Sequence, residues 1–148
     1  MISTQTFEGD PLSLDRQVCF ALSVASRNVV ALYRPLLEPL GLTHPQYLVM
    51  LALWGGEPLS VKELGRLLAL EPATLSPLLK RLESIGYVTR GRASSDERQL
   101  AVALTEEGAA LRDRALAIPP AVVERLGMTL AELADLHRVL TRVIGATS

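Results

Sequence analysis

Two groups of residues in this chain are of types that do chemistry. The first is built on the lone thiol Cys19 in LDRQVCFALSVASR. A thiolate is a nucleophile whose reactivity is set by its surroundings. At about 100° per residue, Cys19, Ser23, Ser26, Val30 and Tyr33 share one helical face, and the hydroxyls on that face are donors that stabilise a thiolate. A single cysteine on an apolar helix is more often simply a small buried hydrophobe. Tyr33 follows Cys19 by fourteen positions, about 21 Å along a straight helix, so the two meet only if the helix bends back or antiparallel helices from two copies pair. The second group is Thr74, Ser76, Lys80 and Arg81 on one helix face, followed by Arg90, Arg92 and Arg98 on a hairpin. Short hydroxyl side chains near a helix start reach base edges in a major groove while cations hold phosphates. An arginine at a hairpin tip enters a narrow minor groove, where negative potential is enhanced. The same arginines also serve simply to keep a turn soluble.

These residues need elements to hold them. Ser60 with Glu63 has the spacing of a capping box, and Leu64, Leu67 and Leu68 then fall on one face. A second helix is expected from Pro72, with Leu75, Leu78, Leu79 and Leu82 inward and Gly86 as its stop. Pro77, six positions in, removes one intrahelical bond and is expected to kink or tighten the first turn. Tyr87 to Arg92 and Gln99 to Leu104 read as two strands joined by a polar turn, Ala93 to Arg98. Helix, turn, helix and basic hairpin in this order make a winged helix-turn-helix head over 60–104.

Apolar helices flank the head. Leu14, Val18, Leu22, Ala25, Val29 and Leu32 form a stripe from Ser13 to Tyr33, and Thr43 with Gln46 caps a helix carrying Tyr47, Leu48, Leu51 and Trp54 up to Gly55 and Gly56. Thr105 opens a helix that must bend or break at Pro119 and Pro120, and Thr129 with Glu132 caps a last helix bearing Leu130, Leu133, Leu136, Leu140 and Ile144. So much apolar helix exceeds what a small head needs. The expectation is one mainly α domain over 1–148 with a small β-hairpin, in which 11–42 and 105–148 form a helical dimerisation region. A two-fold dimer presents its recognition helices about one DNA turn apart and favours a palindromic operator.

Composition narrows the classes. The chain has 148 residues, 15 Lys and Arg, 16 Asp and Glu, and one cysteine, so bulk charge makes no case for nucleic acid and an internal disulfide is excluded. Distribution says more: 60–104 holds seven basic and five acidic residues, against eight and eleven in the remainder. No apolar run has the length of a membrane span, and MISTQTFEGD lacks the basic and apolar regions of a secretory signal. A cytoplasmic, non-membrane protein is expected. No glycine-rich phosphate loop, metal-ligand spacing or catalytic triad is present, and neither a cofactor nor a metal is expected.

LDRQVCFALSVASR, YRPLLEPLGLTHPQYLVMLALW, ATLSPLLKRLE and the DERQ of the hairpin together resemble the MarR family of transcription regulators, and within it the organic-hydroperoxide sensors, the OhrR-like branch. The resemblance runs over nearly the whole chain and implies a repressor that binds its operator as a reduced homodimer. It implies that Cys19 is the redox sensor, oxidised by an organic hydroperoxide to a sulfenic acid that releases the DNA. With no second cysteine, the chain is similar to the one-cysteine type, whose sulfenate is capped by a small thiol or over-oxidised. Asp96 is implied to hold a wing arginine in place. The branch often has a tyrosine four residues after the cysteine and another immediately before PQY, where this chain has Ser23 and His44. Tyr33 keeps its phenol, in the position from which the family's partner subunit reaches the sulfur. His44 donates a hydrogen bond to that sulfur or is simply an exposed helix-start residue; His137 reads as packing or surface. Phe20, Leu22, Leu51 and Trp54 are expected, from position, to line the oxidant's approach.

Two other functions stay open. One is a MarR-type repressor released by a small apolar or phenolic ligand, with Cys19 inert. The other is an enzyme, a thiol peroxidase turning over at Cys19, against which stand the absence of a second cysteine and of a strand-rich scaffold.

Overall fold

The computed structural model describes the backbone of residues 9–93 and 96–148 and, of those, the side chains outside 92–100. A single 3-10 turn, Leu14–Arg16, leads into α1, Val18–Leu37. The first helix therefore starts later than the stripe suggests and runs on through Pro35, with Leu37 as its one buried residue. After the 3-10 turn Glu38–Leu40 comes α2, His44–Gly55, opened by the full capping box of Thr43 and Gln46.

β1 (Leu59–Ser60), α3 (Val61–Leu68) and α4 (Pro72–Ile85) follow. Only the hydroxyl half of the Ser60 box forms, with the Glu63 amide donating to Ser60 Oγ at 3.0 Å. α4 starts on Pro72, continues through Pro77 and ends on Gly86 at φ 98°. A residue with a Cβ is strained there. β2 (Val88–Ala93) and β3 (Asp96–Leu104) pair antiparallel, and β1 adds to β3 through Leu59 opposite Val102, giving the order β1-β3-β2. The third strand was not expected. The expected turn of Ala93 to Arg98 is also too long: the Asp96, Glu97 and Arg98 backbone belongs to β3, with Ala93 opposite Asp96 across a register irregularity. Their polar types read as a loop, yet polar residues also occupy the solvated face of antiparallel strands.

α5 (Glu106–Ala115) is capped by Thr105 Oγ1, which accepts from the Gly108 amide. The break falls before the prolines, since Pro119 and Pro120 sit in the first turn of α6 (Ile118–Leu126), where missing amides cost nothing. α7 (Leu130–Thr147) has the complete Thr129–Glu132 capping box.

One core joins these elements. Leu37, Leu40, Val49, Met50, Leu53, Leu64, Leu75, Leu79, Leu82, Val88, Val102, Leu111, Ile118 and Val122 are buried in it. Leu75, Leu79 and Leu82 of α4 are fully buried and Leu78 partly so, and at about 2 kcal/mol for each fully buried leucine this fixes the rotation of that helix and turns its other face to solvent. Two pieces stay outside. α7 buries no residue and packs against no other element extensively, and the first half of α1 is exposed, with Val18 at 70%.

Candidate nucleic-acid interface and sensor region

The turn between α3 and α4 is tight for local reasons. The Leu70 amide donates to the Gly65 carbonyl at 2.9 Å, and a Cβ on Gly65 would lie 2.9 Å from the Leu70 carbonyl oxygen. Only glycine allows that approach. Ala69 takes the left-handed conformation, φ 54°, to reverse the chain. With Leu75, Leu79 and Leu82 buried beneath, Thr74, Ser76, Pro77, Lys80 and Arg81 are all exposed on the outer face of α4. Hydroxyls toward its start and cations further along are what a recognition helix needs.

The wing begins two residues after α4 ends. Tyr87 N donates to Leu82 O at 3.0 Å, closing the helix and feeding β2. Arg90 lies on β2 opposite Val102, and its Nε pairs with Glu83 Oε2 on α4 at 3.3 Å. Wing and recognition helix are thus joined by an ion pair that spacing did not reveal, because Glu83 reads only as a solvated helix residue. The Arg92, Arg98 and Asp96 side chains lie outside the described residues.

The sensor region is divided. Cys19 is the second residue of α1 and exposed, beside a hollow of about 290 Å³ formed with Pro11, Arg16, Gln17 and Val18. Ser23, one turn on, is also exposed. Tyr33 lies far along the same continuous helix, and within one chain the structure does not bring it to Cys19. It packs instead against His44, ring centroids 4.8 Å apart, and against Tyr47 at 5.8 Å. Burial raises the pKa of Tyr33; burial and then the neighbouring Tyr33 raise that of Tyr47; burial lowers that of His44. At neutral pH the cluster therefore holds two protonated phenols and a neutral imidazole. His137 is exposed on α7.

Leu51 and Trp54 line a cavity of about 320 Å³ with Tyr47, Arg112, Ala115, Leu116 and Pro119, between α2 and the α5–α6 segment. Phe20 and Leu22 are on exposed α1 and do not line it. The expected four-residue approach to the thiol is therefore not one surface of the single chain. Trp54 is fixed by its Nε1, which donates to the Gly108 carbonyl at 2.9 Å. Among the described residues no cluster of His, Cys, Asp and Glu has the makings of a metal site, and no helix is long and apolar enough to cross a membrane.

Known proteins share this arrangement. The family model described as transcriptional regulator SarA/Rot matches residues 31–114. The chain is 48% identical over 131 residues to the HTH-type transcriptional regulator TtmR of Methylorubrum extorquens, covering 88% of this chain and 67% of that one. It is 42% identical to the organic hydroperoxide resistance transcriptional regulator of Bacillus subtilis, over 88% of this chain and 86% of the relative. Reduced AbfR bound to DNA, a protein of Staphylococcus epidermidis, matches with a TM-score of 0.78 at 35% identity, covering 90% of this chain and 92% of that one. A winged head with an exposed recognition helix, on a chain this similar to proteins of one kind, makes this chain a member of the SarA/Rot family of MarR-like winged helix-turn-helix transcriptional regulators, and not an enzyme.

Proposed function

We propose that this regulator is a cytoplasmic repressor that binds a palindromic operator as a homodimer and leaves it when an organic hydroperoxide oxidises Cys19. The observation that carries the reading is the exposure of Cys19 on the stretch of α1 that, like α7, is largely left uncovered by the other described residues. A thiol there is open to an oxidant and lies on the surface that a second copy would cover. The kinship with the Bacillus subtilis organic hydroperoxide regulator supports the choice of oxidant.

The chemistry is brief. The Cys19 thiolate attacks one peroxide oxygen, a sulfur–oxygen bond forms, the oxygen–oxygen bond breaks, and the alkoxide takes a proton and leaves as an alcohol. Sulfur loses two electrons and the peroxide gains them. A small thiol then displaces water from the sulfenic acid to give a mixed disulfide. Tyr33 and His44 of the partner subunit would flank the sulfur, the phenol as donor to the thiolate. Added bulk at Cys19 separates these contacts, tilts α1 and spoils the match of the two heads to the operator. A tenfold loss of occupancy needs about 1.4 kcal/mol of coupling.

The test is a gel shift on the operator with reduced and cumene-hydroperoxide-treated protein. Wild type releases the DNA on treatment, and Cys19→Ser binds but no longer releases. Release of the serine variant by peroxide would remove Cys19 from the mechanism. A second reading, release by a small apolar or phenolic ligand with Cys19 inert, is favoured by the cavity walled by Trp54 and Leu51 with Arg112 at its edge. Thermal stabilisation by salicylate together with indifference to peroxide would select it.

A further inference from the structure

The last carbonyls at the end of a helix lack intrahelical partners and must find them elsewhere. At the end of α1 and its following turn, two carbonyls are taken by side chains from the reading head and its support. Tyr87 Oη donates to Leu40 O at 2.8 Å, and Arg114 Nη2 on α5 donates to Pro39 O at 3.0 Å. Leu37, Leu40 and Leu42 around this turn are buried, so the turn is anchored in the core.

Tyr87 is held on every other side as well. Its amide donates to Leu82 O at the end of α4, and its carbonyl accepts from the Thr105 amide at 3.0 Å, at the start of α5. Gly108 of α5 lies so close to the Tyr87 backbone that a Cβ there would collide with the Tyr87 carbonyl. One residue thus ties the exit of the recognition helix, the root of the wing, the cap of α5 and the end of α1.

We propose that Tyr87 is a positioning residue for operator binding, whose hydroxyl, backed by Arg114, sets the angle at which recognition helix and wing stand on α1. The Tyr87 amide and carbonyl are fixed by backbone bonding, whereas its hydroxyl is the group of that residue that reaches the turn after α1. Losing it frees the head to swivel on the α1 end while leaving the head itself intact. The consequence for DNA rests on the dimeric reading above, since two swivelling heads tolerate a wider range of half-site spacings.

The experiment compares wild type with Tyr87→Phe and Arg114→Met, on an operator selected from random duplexes with the wild-type protein and on the same duplex lengthened by one central base pair. Wild type is expected to prefer the selected spacing by about tenfold, and Tyr87→Phe by about threefold or less, with Arg114→Met in between. A merely structural defect weakens binding to both duplexes alike and leaves that ratio unchanged, which would overturn the proposal. Amide hydrogen exchange supplies the second measurement. Tyr87→Phe should speed exchange at Gly41, Leu42 and Gly86 to Arg90 while sparing Leu75 to Leu82, and unchanged or uniformly faster exchange would overturn it. If wild type itself ignores spacing, the dimeric reading falls and hydrogen exchange alone decides the role of Tyr87.

Discussion

A guanidinium already paired with a carboxylate is a weaker ligand for phosphate than a free one, and Arg90 is paired with Glu83. Lys80 and Arg81 point outward from the same region. The cations of the reading surface are therefore not equivalent. Lys80→Ala should weaken binding to all sequences alike and flatten the dependence on salt by about one counterion. Glu83→Gln frees Arg90 and should steepen that dependence by a comparable amount. Because the pair is partly exposed, its loss moves stability by no more than about 1 kcal/mol, so binding titrations at several salt concentrations read the effect without interference from unfolding. A Glu83→Gln slope equal to wild type would show that Arg90 stays away from DNA in either case. His44 gives the pH prediction. Burial lowers its pKa from the ordinary 6.5, so just below that value the unfolded chain binds more protons than the folded one. Its stability contribution is complete above 6.5 and declines as pH falls toward the lowered value. The imidazole should titrate below the ordinary midpoint by NMR, and His44→Asn should flatten the fall of Tm between about pH 7 and 5.

Elements were legible wherever a cap or a buried face announced them. Thr43, Thr129, Thr105, Pro72 and Gly86 mark helix ends in sequence, and the α4 leucines fix which side of that helix meets solvent. What sequence could not show was contact between distant positions. Glu83 with Arg90, Tyr87 with Leu40 and Trp54 with Gly108 each depend on how elements pack, and no periodicity encodes them. The β1 strand escaped because two residues carry too little pattern, and the turn was drawn too long because exposed strand and loop share a composition. Helical spacing puts Cys19, Ser23 and Tyr33 on one helix, but the packing of Tyr33 with His44 and Tyr47 is set by α2 folding back on α1 and leaves no trace in that spacing. Gly108 shows the cost of such packing. Its amide caps α5, its carbonyl accepts from Trp54, and its bare Cα meets Tyr87. Gly108→Ala forces the backbone of α5 away from Tyr87 and should cost about 3 kcal/mol by urea denaturation. A loss under about 0.5 kcal/mol would mean that the junction yields easily.

At the scale of the molecule the governing fact is a helix that packs little against the other described residues. α7 is 18 residues long and buries none of them, with Leu130 at 74% exposure and Ile144 at 64%. An isolated helix of that length is marginal in water, and helices in proteins are held chiefly by packing of an apolar face. Leu136, Val139 and Val143 are exposed on the same helix, and Val18, Phe20, Leu22 and Val30 are exposed along α1. Two such surfaces on one small chain exceed what a monomer leaves open. The proposed homodimer would cover both at once, because a two-fold axis sets each surface against its counterpart or against the other. In the homodimer proposed above, Tyr33 of the partner subunit would supply the contact to Cys19 that Tyr33 of the same chain does not reach. Replacing Leu136 and Val143 together by Glu should therefore give a monomeric mass by light scattering at about 10 μM. The head keeps its own core, so each half still touches DNA, but without two-fold linkage the operator affinity should fall by at least about a hundredfold. Monomeric protein that still binds the full operator as tightly as wild type would separate DNA recognition from the α1–α7 surface and leave that surface without a role in reading.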